Sequence, residues 1–133
     1  MLVLNCCSSR DTSVDKSKLL GSDYRLFQNT IAWNLAKAVQ DGDIDKIKNE
    51  IRRNKQLLKY AEPRLGHTLL QMAVMNRNYE SVKILLALGA SPNQQDTYLG
   101  NSALMESVKI GGGGILHPDA DTSYLKILLK YGG

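Results

Sequence analysis

A chain of 133 residues is long enough for one domain and short for two. Its 43% hydrophobic and 23% charged residues are ordinary for a folded protein, and no apolar run approaches the roughly 18 residues of a membrane-spanning helix. The net charge of +4 suits an acidic partner, but it is far from the dense Lys/Arg field that marks nucleic-acid binding.

The only cysteines, Cys6 and Cys7, are adjacent, a geometry that strains a disulfide, and no CxxC metal or redox motif exists. The stretch Met1–Ser9 is similar to the end of a bacterial lipoprotein signal: apolar residues, then cysteine, then polar serines. It has only four residues in its apolar part and lacks a positively charged start. With a signal sequence upstream of Met1, Cys6 or Cys7 becomes a lipid-anchor site and the protein a periplasmic or membrane-anchored lipoprotein. With Met1 as the true start it is cytoplasmic. Under both readings, residues 1–26 are expected to form a polar, largely disordered tail or linker.

The first helices are expected near 30–41 and 44–54, with Thr30 capping the first and Phe27 and Trp33 covering an exposed end. The pair carries many charges (Lys46, Lys48, Arg52, Arg53, Lys55, Lys59), as a solvated outer face does. The next pair is placed near 69–77 and 79–88. Thr68 precedes the first apolar run and can cap its free N–H groups. Leu70, Ala73 and Val74 share one helical face, as do Val82, Leu85 and Leu86. Gly89 suits a left-handed C-cap, and Pro92 blocks continuation. The last pair is expected near 103–110 and 122–131, with Ser102 as the capping hydroxyl.

Between these last two helices runs Gly111-Gly-Gly-Gly114. A phosphate-binding loop needs Gly-Lys-Ser/Thr at its end and a preceding strand; this stretch ends in Ile115-Leu116 and follows a helix. It reads as a lengthened interhelical turn. His67 and His117 are the only histidines and have no cysteine partner, so no zinc site is expected. No cofactor and no catalytic constellation are expected either.

These segments are copies of one another. Gly66-His-Thr-Leu-Leu-Gln-Met-Ala-Val74 returns 34 residues later as Gly100-Asn-Ser-Ala-Leu-Met-Glu-Ser-Val108. Val82-Lys-Ile-Leu-Leu-Ala-Leu-Gly-Ala90 returns after 43 residues as Leu125-Lys-Ile-Leu-Leu-Lys-Tyr-Gly-Gly133, so the last unit carries an insertion of about nine residues. Backwards, Leu35–Ile47 matches Leu70–Val82 at an offset of 35. Gly66, Thr68, Leu70 and Ala73, then Val82, Leu85, Leu86, Gly89, Ala90 and Asn93, carry a resemblance to the ankyrin-repeat family. The Pro and His of that family's opening are replaced by Leu69 and Gln71, and by Ala103 and Met105.

The resemblance spans about residues 27–133 and implies an all-α solenoid of about three helix-turn-helix repeats (27–63, 64–97 and 98–133, the last with its insertion near 111–120). It implies binding to another protein through inter-repeat fingers and a concave helix face. Carried over by position, the contacts are Arg64, Leu65 and His67 in one finger and Tyr98, Leu99 and Asn101 in the next. Gln40, Asp41, Met75, Asn76, Lys109 and Ile110 follow at the inner-helix ends. Tyr98 and Arg64 lead this set, because Tyr and Arg dominate interface hot spots. Two further expectations accompany it. One is a fragment of a longer array, which would expose Leu125, Ile127, Leu128 and Leu129 on the last helix. The other is a similarity to bacterial immunity-type ankyrin proteins that neutralise a toxin.

Overall fold

A computed structural model of the chain describes residues 10–110 and 121–133. Cys6 and Cys7, the Gly111–Gly114 run, Pro118 and His117 lie outside them. The described residues include three antiparallel pairs of α-helices: α1 (Trp33–Asp41) with α2 (Ile44–Arg53), α3 (Leu69–Met75) with α4 (Tyr79–Ala87), and α5 (Ala103–Ile110) with α6 (Ser123–Lys130). The chain has the all-α helical repeat architecture the sequence implies. Inner helices α1, α3 and α5 pack in sequence, and outer helices α2, α4 and α6 form a second layer.

Local chemistry places each boundary. Gly42 ends α1 in the left-handed conformation, and the Asp43 carboxylate then caps α2 by accepting from the Lys46 amide at 3.2 Å. Thr68 Oγ1 accepts from the Gln71 amide at 3.2 Å, and Ser102 Oγ from the Met105 amide at 3.3 Å, as the apolar runs behind them require. Helix α3 stops two residues before the expected end because Arg77, in the place of Gly42 one repeat on, adopts φ 57°. Thr30 is not the cap of α1: the helix begins at Trp33, and Thr30 Oγ1 instead accepts from the Ala32 amide in the turn before it.

The core is a row of leucines, valines and small residues along the inner helices. Ala38, Ala73 and Ser107, equivalent under the repeat, are all buried and let successive helices approach closely. Each fully buried Leu or Val contributes about 1.5–3 kcal/mol, so no single helical pair buries enough alone. Ser81 Oγ donates to the Val39 carbonyl at 2.6 Å and ties the second repeat to the end of α1.

The amino-terminal segment departs from expectation. Residues 10–26, expected as a polar linker, lie against the stack, with Tyr24 and Leu26 buried beside Phe27. The buried Gln28 side chain donates to the Arg10 and Thr12 carbonyls, and Lys16 Nζ to the Gln28 carbonyl. Asp11 accepts from Trp33 Nε1 at 2.7 Å and Lys37 Nζ at 3.0 Å, which together hold its carboxyl below the usual range. Trp33 therefore sits under this segment rather than at a bare stack end, and Phe27 is fully buried with its ring centroid 6.3 Å from that of Tyr60.

Candidate functional site

Each inter-repeat finger is built around one carboxylate. In the first (residues 62–67), Glu62 is almost fully buried; its Oε2 accepts from the Arg64 amide at 2.8 Å and its Oε1 from the Leu65 amide at 2.8 Å. In the second (residues 96–101), Asp96 Oδ1 accepts from the Tyr98, Leu99 and Gly100 amides at 3.1, 2.8 and 3.0 Å. The bases match as well: Glu62 N donates to the His67 carbonyl at 3.0 Å, and Asp96 N to the Asn101 carbonyl at 2.7 Å. Burial alone would raise the Asp96 carboxyl, but the Leu99 amide, the Gln71 side chain, the His67 ring and the Asn101 backbone outweigh it and hold it below the usual range.

The fingers are also joined to each other. Thr97 N and Tyr98 N both donate to the Leu65 carbonyl at 3.1 Å. The Asp96 Oδ2 atom accepts from Gln71 Nε2 at 2.7 Å and stands 3.6 Å from His67 Nε2. The result is a rigid pair of loops, each closed by charge-assisted hydrogen bonds.

Neither carboxylate stands out by periodicity or capping pattern, although the sequence carries a signal for both. Glu62-Pro-Arg-Leu-Gly66 and Asp96-Thr-Tyr-Leu-Gly100 share an acid-x-x-Leu-Gly pattern at an offset of 34. Spare backbone N–H groups in a tight loop need an acceptor, and an acid four residues before a glycine supplies one.

The anticipated contact residues stand in several different settings. Tyr98 and Leu99 project from the second finger, 65% and 68% exposed. They border a groove of about 460 Å³ that Met75, Lys109, Arg64 and Leu20 also line. Leu65 and His67 are buried, which corrects the expectation that they stand open at the surface: Gly21 of the amino-terminal segment lies against the Leu65 side chain and the His67 ring, and the second finger takes up the Leu65 carbonyl. Arg64, Asn76 and Asp41 lie at the surface but are engaged by the amino-terminal segment. Arg64 donates to the Leu19 and Ser17 carbonyls, Asn76 to the Ser22 carbonyl, and Asp41 accepts from Arg10 at 2.8 Å. Gln40 is exposed in a hollow that Arg10, Leu20 and Tyr24 share. Lys109 pairs with Glu106 at 3.0 Å, Ile110 is half-buried against the core, and Asn101 is half-buried with its carbonyl committed within the finger.

Among the described residues, no group of three or more His, Cys, Asp or Glu is placed to hold a metal ion. No helix there is long and apolar enough to cross a membrane. No solved structure matches the chain significantly. The family model for Ankyrin repeat matches residues 65–97, the segment from the tip of the first finger through α3 and α4 to the start of the second. One segment of the chain thus matches an ankyrin repeat, and a further helical pair packs on each side of it.

Proposed function

We propose that this protein is a protein-binding module that engages its partner through the second finger and the groove beside it. One observation carries the reading: Tyr98 and Leu99 are two-thirds exposed at the tip of a loop held rigid by Asp96. Large apolar side chains on a preorganised loop lose little entropy on binding, and an aromatic anchor of this kind typically supplies much of an interface's energy. Ankyrin repeats in general mediate contacts between proteins, which supports the same conclusion. The Lys109–Glu106 pair and the half-buried Met75 add a polar rim and an adaptable apolar floor.

An immunity-type role, in which the groove masks a toxin, is the narrower form of this proposal and demands a single tight protein partner. The test is affinity capture with the intact chain and with Tyr98→Ala and Leu99→Asp variants of unchanged melting temperature. A partner retained by the intact chain and reduced at least tenfold by either variant is the expected result. Equal retention by all three places the contact elsewhere and overturns the reading.

A further inference from the structure

The chain already shows what the surface beside its first finger can hold. Residues Ser17–Ser22 run as a strap across the first finger and the end of α3. The strap satisfies some of its own backbone: Leu19 N donates to the Lys16 carbonyl at 3.2 Å, and Asp23 N to the Leu20 carbonyl at 3.1 Å. The stack takes up four other carbonyls. Arg64 Nη2 and Nη1 donate to those of Ser17 and Leu19, both at 3.1 Å. His67 Nδ1 lies 2.9 Å from the Gly21 carbonyl, which can only accept, so that nitrogen carries the proton. Asn76 Nδ2 donates to the Ser22 carbonyl at 2.8 Å.

The strap thus uses backbone acceptors that any polypeptide presents, read by three side chains that sequence position alone marks as partner contacts. Two features add selectivity. Leu19 is half-buried against the core while Leu20 points out, 77% exposed. A Cβ on Gly21 would stand 3.3 Å from His67 Cε1 and 3.4 Å from Leu65 Cδ1, so the place over the histidine takes a small residue. The strap's anchors lie outside it: Tyr24 Oη donates to Asn78 Oδ1 at 2.6 Å, and Leu26 and Phe27 are fully buried. Ser17–Ser22 can therefore leave the groove by giving up the half-buried Leu19 contact, while Tyr24, Leu26 and Phe27 stay in place.

We propose that Arg64, His67 and Asn76 form a peptide-docking site that reads backbone carbonyls, and that residues 17–22 are its built-in, displaceable occupant. The partner it fits presents a turn-containing loop with an apolar residue two positions before a small one, as Leu19 stands before Gly21. The strap lowers the apparent affinity for such a loop by the fraction of time it occupies the site. This deepens the reading of a protein-binding surface, but it stands on residues distinct from Tyr98 and Leu99, and its test needs no partner protein.

The test replaces Ser17–Ser22 by a Gly/Ser stretch of equal length, keeping Tyr24, Leu26 and Phe27. A synthetic peptide of residues 15–23 is titrated into the isotope-labelled variant to millimolar concentration and followed by NMR. The expected result is a saturable shift of the Arg64, His67 and Asn76 side-chain resonances, at least tenfold weaker in the intact chain and weakened about fivefold by Arg64→Ala in the variant. Gly21→Val, whose side chain crowds the strap against the His67 ring and Leu65 without changing its length, serves as the second background and is expected to admit the peptide too. Absence of saturable shifts in a folded variant, an equal response in the intact chain, or indifference to Arg64→Ala would overturn the proposal.

Discussion

Gly66 lies so close to Thr97 of the neighbouring finger that a Cβ on it would stand 2.6 Å from the Thr97 amide nitrogen and 2.5 Å from its Oγ1. Gly100 occupies the same place one repeat later, with a similar left-handed φ (71° against 79°), yet nothing lies within 4 Å of its Cβ position. The two glycines separate two physical requirements that usually coincide. Gly100→Ala meets only the cost of a left-handed L-residue, about 1–2 kcal/mol. Gly66→Ala must in addition push the second finger off the first, at the expense of the Thr97 and Tyr98 hydrogen bonds to Leu65. It is expected to cost at least about 2 kcal/mol more than Gly100→Ala, read as the difference in urea-unfolding free energy. Equal costs would show that the fingers are not packed together as described.

Asp96 gives the fold part of its acid sensitivity. Its carboxyl is held below the usual range in the folded chain and returns to the ordinary carboxylate value on unfolding. The carboxylate's stabilising contribution is therefore complete above the unfolded value and is lost as pH falls through it towards the folded one. Asp96→Ala removes the acceptor of three finger amides and of the buried Gln71 Nε2, an expected loss of about 2–3 kcal/mol at neutral pH. Asp96→Asn keeps the amide acceptor, and Gln71, whose buried Oε1 has no partner, can turn that oxygen towards the new donor. Its expected cost is smaller, about 1 kcal/mol, and its unfolding free energy should fall less steeply than the parent's between pH 5 and 2. A steeper fall in Asp96→Asn would contradict this assignment.

The helical pairs were legible because they rest on side-chain periodicity and caps that recur along the chain. Thr68, Ser102 and Gly89 each stand where their chemistry requires, and six helices follow within a few residues of expectation. The strap was illegible for a physical reason. Residues 10–26 carry no helical or strand period, and their main attachments run through backbone carbonyls, which every sequence possesses equally. The burial of Leu65 escaped for a related reason. Leu65 and Leu99 are the same residue at the same repeat position, and only what folds over each of them, Gly21 of the strap and the following finger in the case of Leu65, decides which is covered.

Tyr24 and Phe27 make the amino-terminal segment part of the fold. Phe27 is fully buried and Tyr24 donates to Asn78 across more than fifty positions of sequence, joining the start of the domain to the second repeat. Burial pushes the Tyr24 hydroxyl well above its ordinary ionisation range, in keeping with a neutral donor at every working pH. Phe27→Ala is expected to cost about 3–5 kcal/mol and Tyr24→Phe about 1 kcal/mol in denaturant unfolding. A negligible cost for Phe27→Ala would return this segment to the status of a linker.

Helices α5 and α6 present an apolar face that the repeat pattern itself defines. Met105, Val108 and Leu129 stand 45%, 43% and 51% exposed, whereas their counterparts in the middle repeat (Gln71, Val74 and Leu86) are buried by the helices that follow. The exposed alternation with a buried neighbour gives an internal control, since Leu128 beside Leu129 is fully buried against α5 and α4. Leu128→Ala is expected to cost about 2–5 kcal/mol and Leu129→Ala less than about 1 kcal/mol. Leu86→Lys should unfold the domain, because it places a charge inside the stack, while Leu129→Lys should leave the melting temperature within a few degrees of the parent. The same Leu129→Lys change removes apolar area from the open face, so any concentration-dependent association seen by sedimentation should weaken in it and survive in Tyr98→Ala. If Leu129→Lys instead destabilises as strongly as Leu86→Lys, the last helices are covered by some further part of the molecule and the face is not open.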